Sequence, residues 1–123
     1  MVNGEFIKEN IPLIKILVAS GQAIQTPFFI LDTGFTGDLQ VTPGIAKDLG
    51  LKITGVTNTK IANGEIVAVP TALALSSMEG ITKNVQILIS KSMPLAGISF
   101  LSKFDYKAIV DCKYKTVVLE RVF

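Results

Sequence analysis

The chain has 123 residues, of which 49% are hydrophobic and only 18% are charged, and its net charge is +2. The small net charge and the scattered basic residues argue against nucleic acid as a partner, and no apolar run reaches the roughly 20 residues of a membrane-spanning helix. This length is enough for one domain with its own core, so we expect a single domain over residues 1–123. The low charged fraction predicts an apolar surface that a partner covers.

The sequence contains no histidine and a single cysteine, Cys112. Histidine-dependent nucleophilic catalysis and most zinc sites are therefore excluded, and we expect neither a metal nor another cofactor. One cysteine cannot form a disulfide within the chain, which favours a reducing, cytoplasmic location. Because no histidine can activate it, Cys112 is expected to be a buried, unreactive thiol.

The N-terminal half is predicted to contain strands and one short helix. A polar segment (1–10) leads into a strand at 12–19, which turns back into a second strand at 24–31. The apolar run Phe28-Phe29-Ile30-Leu31 is typical of a strand buried on both faces. After a short strand at 39–41, Thr42 and Pro43 predict a helix start and Gly50 predicts its end.

The C-terminal half is also predicted to be rich in strands. Strands at 52–61 and 65–75 flank Asn63-Gly64, a strong hairpin signal. Further strands follow at 81–89, 106–111 and 116–123, with a short helix near Phe100 that Ser99 caps. Because strands and helices do not alternate, the pattern indicates a mostly β fold with one or two short helices.

The apolar strand at 24–31 runs directly into Asp32. Burying an isolated carboxylate is costly, so this position needs polar neighbours, and Thr33 supplies a hydroxyl. Gly34 and Gly37 allow a backbone turn that larger residues resist. A simple Asx turn would account for the same residues without any catalytic role.

The stretch Asp32-Thr33-Gly34-Phe35-Thr36-Gly37 resembles the Asp-Thr-Gly signature of retropepsin-like aspartic proteases, and its longer form is similar to the bacterial single-lobe members. The resemblance implies a mostly β closed barrel, the half-lobe of an acid protease. It assigns catalysis to Asp32, Thr33 and Gly34. It also implies a substrate-covering flap at Ala62, Asn63, Gly64 and Glu65, and packing of Leu95-Ala96-Gly97 against the catalytic loop.

This resemblance implies an aspartic endopeptidase that acts on peptide or protein substrates through two carboxylates sharing one proton. The chain holds a single Asp-[Ser/Thr]-Gly, because Asp38 and Asp111 are followed by other residues. Asp111 is better interpreted as a turn carboxylate. A complete site therefore requires a homodimer, with Asp32 of each copy on a two-fold axis. In the family, the terminal strands, here 116–123, pair across that axis.

Two other functions stay open at this stage. The same fold could serve as a non-catalytic, dimeric protein-binding module. A glycosidase with paired carboxylates would need a second suitably placed acid, which the sequence does not offer. The chain also differs from retroviral members of the family: Phe35 replaces a small alanine, Ser99 replaces an acid or amide, and the flap lacks a tyrosine.

Overall fold

A computed structural model describes residues 1–60 and 63–123. Its thirteen strands and two helices are, in chain order: β1 Val2–Asn3, β2 Glu5–Ile7, β3 Ile11–Lys15, β4 Leu17–Ser20, β5 Ala23–Gln25, β6 Phe28–Leu31, β7 Leu39–Val41, α1 Pro43–Asp48, β8 Ile53–Lys60, β9 Ile66–Met78, β10 Ile81–Ile89, β11 Leu95–Ala96, α2 Ile98–Lys103, β12 Tyr106–Asp111 and β13 Thr116–Arg121. The protein is mostly β with two short helices, as the sequence predicts.

The strands form two sheets. The larger has the order β2-β3-β6-β11-β7-β10-β9-β4-β5, with β8 also paired to β9, and the smaller has the order β1-β13-β12. Most neighbours are antiparallel, but β11 runs parallel to β6 and β10 runs parallel to β7. The larger sheet curls into a half-barrel. This arrangement places the end of β6 next to β11, so Asp32 follows directly after the residue that pairs with Ala96.

The predicted N-terminal hairpin is present, but each of its strands is broken. Leu17–Ser20 pairs with Ala23–Gln25 near the turn, and Ile11–Lys15 pairs with Phe28–Leu31 below it. Ile16, at the break, is fully buried and donates its N–H to Pro27 O at 3.1 Å. The break lets β4 join β9 while β3 joins β2. The single strands expected at 12–19 and 24–31 were therefore wrong.

The expectation that the strand before Asp32 is buried on both faces was also wrong in part. Phe29 and Leu31 lie in the core, with exposed fractions of 0% and 7%, whereas Phe28 is 42% exposed. The Lys15 ammonium lies 5.6 Å from the centre of the Phe28 ring and covers part of it. The alternation of β6 follows from pairing with β3 and β11 in a sheet that has one core face.

Both predicted helices are present. Thr42 Oγ1 accepts a hydrogen bond from Ile45 N at 3.2 Å, which confirms the predicted cap of α1, and Gly50 has a left-handed φ of 64° just past the end of this helix. The cap of α2 differs from the expectation, because Gly97 rather than Ser99 precedes its first turn. Phe35 O accepts the N–H of Ile98 at 2.9 Å, so a backbone group takes the place of a capping side chain.

One hydrophobic core lies between the curled sheet and α2. Its largest fully buried side chains are Phe29, Phe100, Phe104, Ile14, Ile16, Leu39, Leu49, Ile87 and Leu119. The rings of Phe100 and Phe104 on or beside α2 have centres 4.9 Å apart. Aromatic packing of this kind fixes α2 against the sheet, and α2 in turn supports the loop that carries Asp32.

Candidate active site

Backbone hydrogen bonds hold Asp32 at the end of β6. Its N–H donates to Ala96 O at 2.9 Å, and its own carbonyl accepts the N–H of Phe35 at 3.1 Å. The N–H of Gly34 donates to Asp32 Oδ1 at 2.9 Å, which fixes the carboxylate in an Asx turn. Asp32 is half-buried, whereas Thr33 and Gly34 are exposed. The three residues assigned to catalysis thus form one tight turn that opens toward solvent.

The segment Leu95-Ala96-Gly97 packs directly behind this turn. Gly97 N donates to Asp38 O, and Ile98 N donates to Phe35 O, both at 2.9 Å. A β-carbon added at Gly97 would lie 2.5 Å from Phe35 O and would also collide with the Gly37 carbonyl. Glycine is therefore required at position 97 for this close approach. The packing that the resemblance implies for this segment is confirmed.

The Phe35 ring explains why position 37 of the motif is a glycine. A β-carbon built at Gly37 would lie 2.6 Å from the tip of the Phe35 ring, and one at Gly97 would lie 2.7 Å from its edge. The ring thus fills the space that side chains at both positions would need. The Phe35 ring therefore packs between the motif and the segment behind it.

The role of Asp38 is visible only in the structure. Its side chain is only 4% exposed, and its Oδ2 accepts hydrogen bonds from Lys103 Nζ at 2.6 Å and from Gln86 N at 2.9 Å. Asp38 therefore joins the loop after Asp32 to β10 and α2. No local sequence pattern points to this role, because the partners of Asp38 are 48 and 65 residues away in the chain.

Several groups act on the pKa of Asp38. Burial raises it, but the Lys103 hydrogen bond, the Ser99 hydroxyl and the Gln86 N–H lower it by more, so the pKa lies below its ordinary value. The Ser99 hydroxyl is close to the carboxylate without meeting the geometry of a full hydrogen bond, and Asp38 Oδ1 is buried without a partner among the residues described. Asp38 is thus an ionised structural residue.

Asp32 lies in a cleft of about 730 Å³. The motif contributes Gly34, Phe35, Thr36 and Gly37 to its lining, and the β8–β9 hairpin contributes Thr57, Asn58, Thr59, Lys60, Val67 and Val69. The rest of the lining consists of Gln40, Gln86, Leu88, Ser90, Ser92 and Leu95. In this described lining, Asp32 is the one carboxylate and Lys60 the one cation. A single chain therefore presents one acid to a groove with many neutral polar groups.

The predicted flap corresponds to the β8–β9 hairpin, whose strands pair from Ile53↔Ala72 to Lys60↔Ile66. Near its tip, Asn63 Oδ1 accepts the N–H of Glu65 at 2.9 Å, and Gly64 has a φ of 87°. Ala62 lies outside the described residues. Asn63, Gly64 and Glu65 are exposed, and their contact with a substrate stays a prediction. The strands below the tip, rather than these residues, line the cleft described above.

Two further residues singled out from the sequence have different outcomes. Asp111 Oδ1 accepts the N–H groups of Lys113 and Tyr114, both at 2.9 Å, so its interpretation as a turn carboxylate is confirmed. Cys112 is exposed, and the expectation of a buried thiol was wrong. Cys112 lies in the turn between β12 and β13, where every side chain from Cys112 to Lys115 points away from the core.

Comparison with known proteins identifies the fold. No family model and no curated protein matches the sequence. Among solved structures, a retropepsin-like aspartic protease from Rickettsia conorii superposes with a TM-score of 0.67 and 18% identity, over 98% of this chain and 89% of that one. This chain has a retropepsin-like fold. The EIAV protease, solved in complex with the inhibitor HBY-793, superposes with a TM-score of 0.65 and 16% identity, over 85% of this chain and 98% of that one.

The retropepsin-like fold accounts for the position of the motif, since it brings Asp32 to a cleft beneath a β-hairpin. Within residues 1–60 and 63–123, no group of three or more acidic or cysteine side chains could hold a metal ion. No helix in the same residues is long and apolar enough to cross a membrane. The described lining of the cleft offers one carboxylate, one ammonium group, and several hydroxyl and amide groups.

Proposed function

We propose that the protein is an aspartic endopeptidase whose active site forms between two copies of the chain. The observation that carries this proposal is the position of Asp32, which is fixed in a tight turn and lines the cleft of a retropepsin-like fold. The described lining holds no second carboxylate. A partner copy would supply it, with the two Asp32 residues meeting on a two-fold axis.

Peptide hydrolysis needs the two carboxylates in different protonation states. Two carboxyl groups about 3 Å apart cannot both ionise, and aspartic proteases are themselves the standard example of this effect. The ionised Asp32 would take a proton from a water molecule that attacks the scissile carbonyl carbon. The protonated Asp32 would then give its proton to the leaving amine nitrogen. In the assembled dimer, the exposed Thr33 hydroxyl would be available for a hydrogen bond to the other copy.

Mixing wild-type and Asp32→Asn chains tests the shared site. Asparagine keeps the shape of the side chain but cannot act as a base, so the variant should dimerise without hydrolysing peptides. If each site needs both carboxylates, a 1:1 mixture of freely exchanging chains should have about a quarter of the activity of wild-type protein at the same total chain concentration, through random pairing. Retention of half the activity would show that each chain works alone and would contradict the proposal.

A non-catalytic, dimeric protein-binding module is the second candidate. It is favoured by the number of large apolar side chains on the surface of the single chain, among them Ile24, Val56, Ile66 and Leu73, each more than 60% exposed. The Asx turn at Asp32 does not require catalysis. Under this alternative, wild-type and Asp32→Asn protein would bind a peptide equally well, and neither would cleave it.

A further inference from the structure

Gln40 is a buried polar residue on the wall of the cleft. It is 9% exposed and lies on β7, where it pairs with Leu95 on one side and Leu88 on the other. Leu95 in turn pairs with Ile30, two residues before Asp32. These paired residues share one face of the sheet, and Gln40, Leu88 and Leu95 all line the cleft. Gln40 is thus part of the surface that a bound peptide would contact.

The orientation of the Gln40 amide follows from its partners. Its Nε2 lies 2.7 Å from Ser92 Oγ and 3.2 Å from Met93 O. A backbone carbonyl can only accept a hydrogen bond, so the NH₂ group must face the loop after β10. Both amide hydrogens are therefore used within the protein. The carbonyl oxygen, Oε1, is left pointing away from that loop.

Gln40 Oε1 accepts no hydrogen bond from the described residues, yet it keeps some contact with solvent. The one buried side-chain oxygen or nitrogen without a partner in that part of the chain is Asp38 Oδ1, so Oε1 is not sealed in the interior. A polar atom that loses water without gaining a partner is costly. When a peptide fills the cleft and displaces water, Oε1 needs a donor from that peptide.

We propose that Gln40 Oε1 selects peptides with a neutral hydrogen-bond donor, the hydroxyl of Ser or Thr or the amide of Asn or Gln, beside the bond to be cleaved. The proposal rests on the endopeptidase function for what is cleaved, whereas the selection itself needs only a bound peptide. A cationic side chain is less suitable, because the described lining offers no carboxylate besides Asp32 and already contains Lys60.

Threonine and valine provide the sharpest comparison, since they have nearly the same shape and differ in one hydroxyl. A peptide with valine at the selected position would leave Gln40 Oε1 without a partner. We expect the threonine peptide to be preferred by at least about tenfold. Because the selected position is not known in advance, threonine and valine are exchanged at each position in turn around a bond that the protein cleaves.

The experiment measures kcat/KM on the wild-type protein and peptide Kd on the Asp32→Asn variant, which binds without cleaving. Gln40→Met keeps the length of the side chain but removes the acceptor. Ser92→Ala removes the hydroxyl that accepts a hydrogen bond from Gln40 Nε2. This variant tests the role of Gln40 if Gln40→Met does not fold. Gln86→Met is the matched control, because Gln86 also lines the cleft but its exposed side chain makes no such contact with the loop.

The proposal is supported if one position prefers threonine in wild-type protein and in Gln86→Met, and if this preference is lost in Gln40→Met and weakened in Ser92→Ala. Equal use of threonine and valine at every position, or an unchanged preference in Gln40→Met, would overturn it. If peptides bind with the threonine preference but are never cleaved, the endopeptidase function fails and the selection by Gln40 stands. If no peptide binds at all, both proposals are overturned.

Discussion

Lys103 Nζ lies 2.6 Å from Asp38 Oδ2, and this pair connects α2 to the loop that follows Asp32. The side chain of Asp38 is 4% exposed and that of Lys103 is 38% exposed. The carboxylate is therefore buried, whereas the lysine side chain still reaches solvent. The same carboxylate oxygen accepts a hydrogen bond from the backbone N–H of Gln86 on β10. Three elements around the candidate active site thus depend on one charge.

Replacing Asp38 with alanine should destabilise the protein. The change leaves the Lys103 ammonium and the Gln86 N–H without their acceptor, and hydrogen bonds to charged groups are each worth about 1.5–3 kcal/mol. We expect the free energy of unfolding to fall by about 2–3 kcal/mol. Urea denaturation at neutral pH measures it. Asp48→Ala is the control, because Asp48 is exposed at the end of α1, and an equal effect of both changes would refute a special role for Asp38.

The contribution of Asp38 should also depend on pH. Its pKa in the folded protein lies below the ordinary value of 3.8, so the folded state favours the ionised form. The stabilisation should be complete above about pH 4–5 and should be lost as the pH falls through the lowered pKa. Denaturation curves of wild-type and Asp38→Asn protein should therefore converge in strong acid. A difference in stability that stays constant from pH 7 to pH 2 would contradict this.

Gly97→Ala should disturb the Asp32 turn from behind. The new β-carbon would collide with the carbonyl oxygens of Phe35 and Gly37, and overpacking of this kind costs about 1–3 kcal/mol. We expect lower stability and a greater loss of peptidase activity. Gly44→Ala is the matched control, since the nearest atom to its β-carbon is Thr42 Oγ1 at 3.8 Å. In that helical position alanine should be neutral or slightly stabilising.

Gly64→Val should impair turnover by straining the tip of the hairpin. Gly64 has a φ of 87°, a region that β-branched residues resist. Gly80→Val is the control, because Gly80 has a similar φ of 83° but lies in the turn between β9 and β10, at the opposite end of β9 from the hairpin tip. Both variants should lose stability, but only Gly64→Val should lower kcat/KM for the folded protein. Equal kcat/KM values for the two variants would show that the hairpin tip has no role in catalysis.

Removing Val122 and Phe123 should weaken the proposed dimer without unfolding the chain. These two residues are 56% and 108% exposed, whereas Val117 and Leu119 on the preceding strand are buried. Deleting all of residues 116–123 would instead remove part of the core, since Val117 and Leu119 are buried. Light scattering at micromolar concentration measures the mass, and circular dichroism checks the fold. An intact dimer after the short deletion would place the interface elsewhere.

The sequence alone determined the fold class and the motif, because both depend on local patterns. Apolar alternation predicted most strands, Thr42 and Pro43 predicted α1, and Asn63-Gly64 predicted the hairpin between β8 and β9. The Asp32 turn is also local, since its two internal hydrogen bonds, from Gly34 N and Phe35 N to Asp32, join residues two or three positions apart. The bond from Asp32 N to Ala96 O, by contrast, depends on the tertiary structure. Propensity and turn chemistry act over this same range, so these features could be inferred without a structure.

Only the tertiary structure decided which distant residues support the cleft. Asp38 and Lys103 are 65 positions apart, and Gln40 and Ser92 are 52 apart. Hydrophobic periodicity says which face of a strand is buried, but it does not say which strand lies beside it. For the same reason the breaks at Ile16 and before Phe28 were missed, because they accompany the pairing of β3 with β2, of β4 with β9 and of β6 with β11. The role of a buried carboxylate or amide depends on its hydrogen-bond partner, and the tertiary fold decides which distant residue that partner is.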